Sequence, residues 1–122
     1  MIEVYRGSFN SWANVQREFE IDMPEPDDVI YAEYDTYCYD GYANVIYRNG
    51  DRYYWAYGSH CSCFGLEGQW DPEEYDARSL VEVLRRGNHW RLDDLGRQVQ
   101  EYIMDAVLAY PGNGQFAGEG HA

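Results

Sequence analysis

The residues between Val29 and Tyr57 follow the pattern of β-strands separated by turns, and predict β-structure through the middle of the chain. β-Branched and aromatic residues dominate this stretch, and the dipeptides Asp40-Gly41 and Asn49-Gly50 interrupt it. Both dipeptides favour two-residue hairpin turns, because these residue types tolerate the positive φ angles of a type I′ turn. The pattern therefore predicts a three-stranded antiparallel meander. Its register would place Cys38 opposite Ala43 and Ala43 opposite Ala56.

Both faces of this predicted sheet are rich in aromatic residues. One face is expected to carry the helices, and the other to present a partly exposed tyrosine surface of the kind that protein interfaces use. The sequence does not decide which face is which. A register slip of one residue at either turn would exchange them.

Shorter patterns lie on the N-terminal side of the meander. The alternation in Ile2-Glu3-Val4-Tyr5 predicts a short edge strand. Ser11 suits a helix N-cap, and three apolar residues follow it at helical spacing. These residues predict a short helix that ends near Glu20 and packs against the core through Trp12, Val15 and Phe19.

Helical patterns dominate the C-terminal side. Asp71-Pro72-Glu73-Glu74 carries a capping residue, a proline and a glutamate in the order typical of a helix start. Asp76 offers a second start for a helix that ends at Gly87. A last helix is predicted from about Leu92 to Tyr110.

Together these elements predict an α+β fold: a three- to four-stranded antiparallel meander with helices packed mainly on one face. Residues 1–110 would form a single domain. Residues 111–122, which are rich in glycine, would form a disordered tail.

Charge narrows the choice of partners. The chain has 22 acidic and 9 basic residues, a net charge of −13, and no lysine. This charge repels phosphate backbones and attracts basic partners, so we expect a protein partner and no direct nucleic-acid binding. Solubility alone explains the same charge equally well. The absence of a long apolar run and of a secretory signal predicts a cytoplasmic protein without a membrane span.

Many of the acidic residues lie in the first third of the chain. A small acidic protein can mimic the charge of DNA and compete for a nucleic-acid-binding cleft on another protein. The alternative is an inert, solvated surface, which is the commoner outcome for a loop that contains two prolines. The candidate partner-binding residues are Asp22, Glu25, Asp27, Asp28, Glu33, Asp35, Asp40, Tyr37 and Tyr39.

The segment from Gly58 to Trp70 places His60, Cys61 and Cys63 within four residues. Thiolate and imidazole are natural zinc donors, and Cys38 could complete a tetrahedral set, with His89 as another option. The spacing is not a common zinc pattern, and thiols also pack as small apolar groups. Zinc binding therefore stays open as an alternative, while Gln69 and Trp70 are expected to anchor the loop.

A thiol-dependent enzyme is a further alternative, since His60 lies beside Cys61. A nucleophilic cysteine needs a base in reach and a lowered pKa. The sequence offers no third orienting residue, nucleophile elbow or phosphate-binding loop. We therefore expect no enzymatic activity and assign no catalytic residues.

The same loop carries a resemblance to known proteins. Tyr39-Asp40-Gly41-Tyr42-Ala43, the Asn49-Gly50 hairpin and the sequence from Gly58 to Glu74 resemble a family of small bacteriophage proteins that share a GSHCSC(F/Y)GLE-QW loop. The resemblance spans roughly residues 29 to 86. It implies a phage accessory protein, made in an infected bacterial cytoplasm, that inhibits a host nucleic-acid-handling or defence complex. The family implies no catalytic residues.

Overall fold

A computed structural model describes residues 2–37, 40–61, 65–87 and 95–111, apart from the side chain of Tyr37. These residues form an α+β fold with one five-stranded sheet in the order β1-β2-β3-β4-β5. The strands are β1 (Tyr5–Gly7), β2 (Asp28–Tyr37), β3 (Asp40–Asn49), β4 (Arg52–His60) and β5 (Glu73–Tyr75). The helices are α1 (Trp12–Phe19), α2 (Ala77–Arg86) and α3 (Arg97–Ala109). The predicted fold class is confirmed, but the sheet is larger than three or four strands.

The central meander forms in a different register from the predicted one. Tyr34 lies opposite Ala43 and Val45 opposite Ala56. In the second hairpin the turn begins one residue later than predicted, with Gly50 at a φ of 63°. Both hairpins shift by an even number of residues, so Ala43 and Ala56, which were predicted to lie opposite each other, still share one face of the sheet.

The two edge strands account for the additional pairing. β1 lies two to three residues later than predicted and runs parallel to β2, so the sheet is mixed rather than antiparallel. The predicted helix start at Asp71 is wrong, because Glu73–Tyr75 pairs with β4 as an edge strand. The second predicted start is the one that forms: the carboxylate of Asp76 accepts a hydrogen bond from the backbone N–H of Ser79 at 2.8 Å.

Helices cover both faces of the sheet, which corrects the expectation that they lie mainly on one. α2 and α3 pack over a cluster that includes Tyr31, Ile46 and Trp55. α1 packs over the opposite cluster, which includes Val45 and Tyr47. The strands carry apolar side chains on both faces, and each set requires a covering layer. Among the described strand residues no large apolar side chain is exposed, so no broad tyrosine surface remains open over the middle of the sheet.

Some predictions fall on residues outside the described ranges. The predicted start of the last helix at Leu92 is one of them, and the described part of that helix begins at Arg97. Residues 112–122 also lie outside the described ranges, so the disordered tail and the domain boundary stay predictions. In the part of the chain that is described, no helix has the length and apolar character needed to cross a membrane.

Candidate functional site

A hydrogen bond between Tyr34 and His60 joins β2 to the end of β4 across the intervening strand β3. The Tyr34 hydroxyl lies 2.6 Å from Nε2 of His60. Gly41 of β3 is the register partner of His60 and lies beneath this bond. A Cβ atom there would come within 2.6 Å of Nε2 and 3.1 Å of Cε1 of Tyr34. Glycine at this position therefore lets the imidazole cross the strand.

The second ring nitrogen of His60 fixes the direction of these bonds. Nδ1 lies 3.0 Å from the backbone carbonyl oxygen of Cys61. A carbonyl oxygen can only accept, so in the neutral imidazole Nδ1 carries the proton and Nε2 offers a lone pair. The Tyr34 hydroxyl then donates to Nε2. Both ring nitrogens of His60 are occupied in this arrangement.

Burial, and after it nearby negative charges, keep Tyr34 protonated. Burial raises the pKa of the Tyr34 hydroxyl, and the carboxylates of Glu18 and Glu67 raise it further. The pKa of Glu67 is itself lowered, chiefly by hydrogen bonds from the backbone N–H groups of Glu67 and Gly65. Tyr34 therefore acts as a neutral hydrogen-bond donor and is unsuited to act as an acid near neutral pH.

The loop after β4 returns to the sheet through Gln69. Oε1 of Gln69 accepts a hydrogen bond from the backbone N–H of Ser59 at 2.8 Å, and its Nε2 donates to the carbonyl of Gly65 at 2.9 Å. The side-chain amide thus takes the place that a neighbouring strand would occupy at this edge of β4. Leu66, which lies inside the loop, is fully buried.

Trp70 fastens the same loop to α1. Its ring meets Phe19 edge to face at 4.9 Å and Trp12 at 6.0 Å between centroids. It also stacks on Tyr47, with a centroid distance of 6.0 Å and an angle of 6° between the planes. Trp70 is half-buried, so part of the ring remains at the surface.

The proposed zinc ligands are only partly described. Cys38 and Cys63 lie outside the described residues, as does His89, whereas Cys61 is exposed. Among the described residues no three His, Cys, Asp or Glu side chains converge on a metal position. His60 does not fit the proposed zinc ligand set in this arrangement, because its one ring lone pair already accepts the hydrogen bond from the Tyr34 hydroxyl. Zinc ligation by His60 would require that hydrogen bond to break.

The same geometry bears on thiol chemistry. A base for Cys61 would need a free lone pair, and the neutral imidazole of His60 has none to spare. The described arrangement therefore supplies a brace for the end of β4 and no activated nucleophile. Tyr34 and Gly41, the partners that reveal this role, were not among the predicted site residues.

Strand β2 separates the predicted acidic residues into two groups. Asp22, Glu25, Asp27 and Asp28 are exposed before or at its start, whereas Asp35 near its end and Asp40 at the start of β3 are exposed at the opposite end. The seven-residue rise from Asp28 to Asp35 corresponds to about 23 Å. Glu33 is half-buried between the groups, and Tyr39 and the side chain of Tyr37 are not described. The seven acidic residues among the predicted contacts, all of which are described, do not form one cluster.

The first group belongs to a well-anchored segment, which we call the acidic loop (residues 20–28). Trp12 Nε1 and Gln16 Nε2 both donate to the carbonyl of Met23, at 2.8 and 2.9 Å. Asp27 is bound to the β3–β4 hairpin twice: its N–H donates to Asn49 Oδ1 at 2.9 Å, and its Oδ2 accepts from the N–H of Gly50 at 2.8 Å. The loop backbone is therefore fixed at its middle and at its end.

Comparison with known protein families, with curated proteins and with solved structures found no match to this chain.

Proposed function

We propose that this chain is a non-enzymatic binding protein whose acidic loop contacts a basic surface on a partner protein. The observation that carries the proposal is the anchoring of that loop by Trp12, Gln16 and the β3–β4 hairpin. A flexible acidic connector would lose conformational entropy on binding, and an anchored one loses less. Prior ordering of the backbone therefore favours recognition over simple solvation.

The distribution of charge supports the same surface. Residues 1–75 contain fifteen of the 22 acidic residues and four of the nine arginines. Asp27 lies 3.9 Å from Arg48, but Asp22, Glu25 and Asp28 form no ion pair with a described residue. Their field remains available at longer range, where it would steer a basic partner and raise the association rate.

The biological setting of the proposal comes from the resemblance of the loop after β4 to small phage proteins. We infer a phage accessory protein that acts in the bacterial cytoplasm on a nucleic-acid-handling or defence complex, such as a CRISPR or restriction system. The carboxylates would occupy a surface that normally binds nucleic acid. Zinc has no part in this mechanism.

A pair of matched triple variants tests the acidic loop. Asp22→Asn/Glu25→Gln/Asp28→Asn removes three exposed charges from the loop and spares Asp27, which holds the hairpin. Glu82→Gln/Glu101→Gln/Asp105→Asn removes three exposed charges from α2 and α3. Both variants have the same net charge. The control also removes the exposed ion pairs of Glu82 with Arg86 and of Glu101 with Arg97, which are at the surface and contribute little to stability.

Each protein would be used to capture partners from a bacterial lysate at several salt concentrations and tested for inhibition of CRISPR and restriction activity in cells. We expect a captured basic partner, and the associated inhibition, to be lost with the loop variant and retained with the control. Equal effects of the two variants would show that only net charge matters. Inhibition unaffected by the loop variant would also refute the assignment.

A further inference from the structure

We infer that the partner presents an arginine side chain to the exposed part of Tyr54, which together with Trp70 flanks the buried ring of Tyr47. We call Tyr54 and Trp70 the aromatic patch. This inference rests on the proposed function, because it specifies which basic residue the partner would use and where that residue would bind.

The patch is built on a stack of three rings. Tyr47 is buried and stacks on Tyr54 at 5.1 Å, with 17° between the planes, and on Trp70 at 6.0 Å, with 6°. Tyr54 and Trp70 are each only half-buried. Neighbouring rings hold both side chains in place, so little conformational entropy remains to be lost on binding. Aromatic residues with this combination of rigidity and partial exposure are typical binding hot spots.

Carboxylates surround the patch. Glu74 is the register partner of Tyr54 across β4 and β5, and Asp71 directly follows Trp70. Both acids are exposed. Glu74 already attracts a guanidinium within the chain, since Nε of Arg52 lies 3.8 Å from its Oε2. The side chains of both Arg52 and Glu74 are about half exposed, so this ion pair is weak. A partner arginine can therefore compete for the Glu74 carboxylate.

The patch and the acidic loop meet at α1. Trp12 contacts the ring of Trp70 at 6.0 Å and donates through Nε1 to the carbonyl of Met23 in the acidic loop. One side chain therefore joins the two surfaces. A partner that contacts the loop carboxylates through basic residues can reach the aromatic patch with the same surface.

Arginine fits this arrangement better than lysine. Its planar guanidinium stacks on an aromatic face while its N–H groups bind a carboxylate, whereas the lysine ammonium is a compact and strongly hydrated charge. The chain contains one such contact of its own, with the guanidinium of Arg48 4.1 Å above the ring of Tyr110. Arg48 thus contacts both a tyrosine ring, Tyr110, and a carboxylate, Asp27. The partner's arginine would make the same two kinds of contact at the aromatic patch.

Two peptides of equal length and charge provide the test: one of alternating arginine and glycine, and one of alternating lysine and glycine. Affinities would be measured by calorimetry, and the binding surface by amide and indole chemical-shift changes. We expect the arginine peptide to bind roughly three-fold more tightly than the lysine peptide, the size of an exposed cation–π contact. The largest shifts should fall on Trp70 and its neighbours.

Tyr54→Leu should lower the arginine-to-lysine affinity ratio to about one. Tyr57→Leu is the matched control, because Tyr57 is a half-buried tyrosine of the same strand that faces the other side of the sheet. Circular dichroism would verify that both variants fold. Equal affinity of the wild-type chain for the two peptides would overturn the inference, as would an arginine preference that survives Tyr54→Leu. The lysine peptide reports charge attraction alone, so failure of the aromatic contact is separable from failure of the proposed function.

Discussion

The hydroxyl of Tyr34 donates to Nε2 of His60 across β3, at 2.6 Å. This bond links β2 to the last residue of β4, immediately before the loop that Gln69 and Trp70 tie back to the sheet. It is possible because Gly41 leaves the space between the two rings free. A side chain that the sequence suggested as a metal ligand is therefore a structural brace in the folded chain.

Tyr34→Phe should destabilise the fold by about 1 kcal/mol, because it removes one hydrogen bond. The cost stays modest because the His60 lone pair, which loses its partner, lies at a site that water can partly reach. Urea denaturation measures the loss. Tyr42→Phe is the control, since its hydroxyl bonds Asp35 at 3.2 Å at the exposed surface and should contribute a few tenths of a kcal/mol. Nitrogen NMR of His60 should also show the Nδ1-protonated form in the wild-type chain. An Nε2-protonated ring, or equal losses in both variants, would contradict the assignment.

Removal of metal should leave the chain unchanged. Because the His60 lone pair is already used, we expect native mass spectrometry to give the same mass with and without EDTA, and denaturation to give the same midpoint. Loss of one zinc mass together with folding would show that metal is bound, either with the Tyr34–His60 bond broken or with His89 as a ligand in place of His60. Cys61→Ser would then be expected to abolish the zinc mass.

The sequence predicted the elements with strong local signals. Ser11 and Asp76 cap α1 and α2 as expected, through hydrogen bonds to Asn14 and Ser79. The antiparallel meander between Val29 and Tyr57 also formed, and Ala43 and Ala56 share a face as expected. Capping and side-chain alternation depend on residues a few positions apart, which is why a single sequence shows them.

Features that depend on distant residues were not predictable in the same way. The register of the first hairpin, the pairing of Glu73–Tyr75 with β4 and the Tyr34–His60 bond all join residues brought together by folding. The residues at Asp71 favour a helix start locally, but the backbone that follows forms hydrogen bonds with the open edge of β4 instead. The acidic loop was recognised from its composition, but its anchoring by Trp12 and the hairpin carried no local signal.

Gly7→Ala should be much more costly than Gly50→Ala. Both glycines have positive φ angles, 67° and 63°. A Cβ at Gly7 would lie 2.2 Å from the carbonyl oxygen of Tyr34, whereas none of the surrounding atoms lies within 4 Å at Gly50. The backbone strain of about 1–2 kcal/mol is common to both, and the clash adds about 2 kcal/mol at Gly7. Thermal or urea unfolding of the two variants measures the difference. Equal losses would show that β1 does not pack on β2 as described.

The contribution of Asp76 to stability should fall at low pH. Hydrogen bonds from Ser79 hold the pKa of this carboxyl below its usual value of 3.8, and Arg52 and Arg78 lower it further. A depressed pKa means that the folded state favours the ionised form, so its contribution is present above pH 3.8 and is lost as the pH falls below it.

Asp76→Ala should therefore destabilise the chain by about 1 kcal/mol at neutral pH, the usual value of an N-cap, and by less at about pH 3. Ser11→Ala is the internal control, because the hydroxyl of Ser11 caps α1 through the N–H of Asn14 and does not titrate. Urea denaturation of each variant against the wild-type chain at matched pH gives both differences. If the loss of unfolding free energy were the same at both pH values for Asp76→Ala, as it should be for Ser11→Ala, the charge of Asp76 would add nothing to its role as a cap.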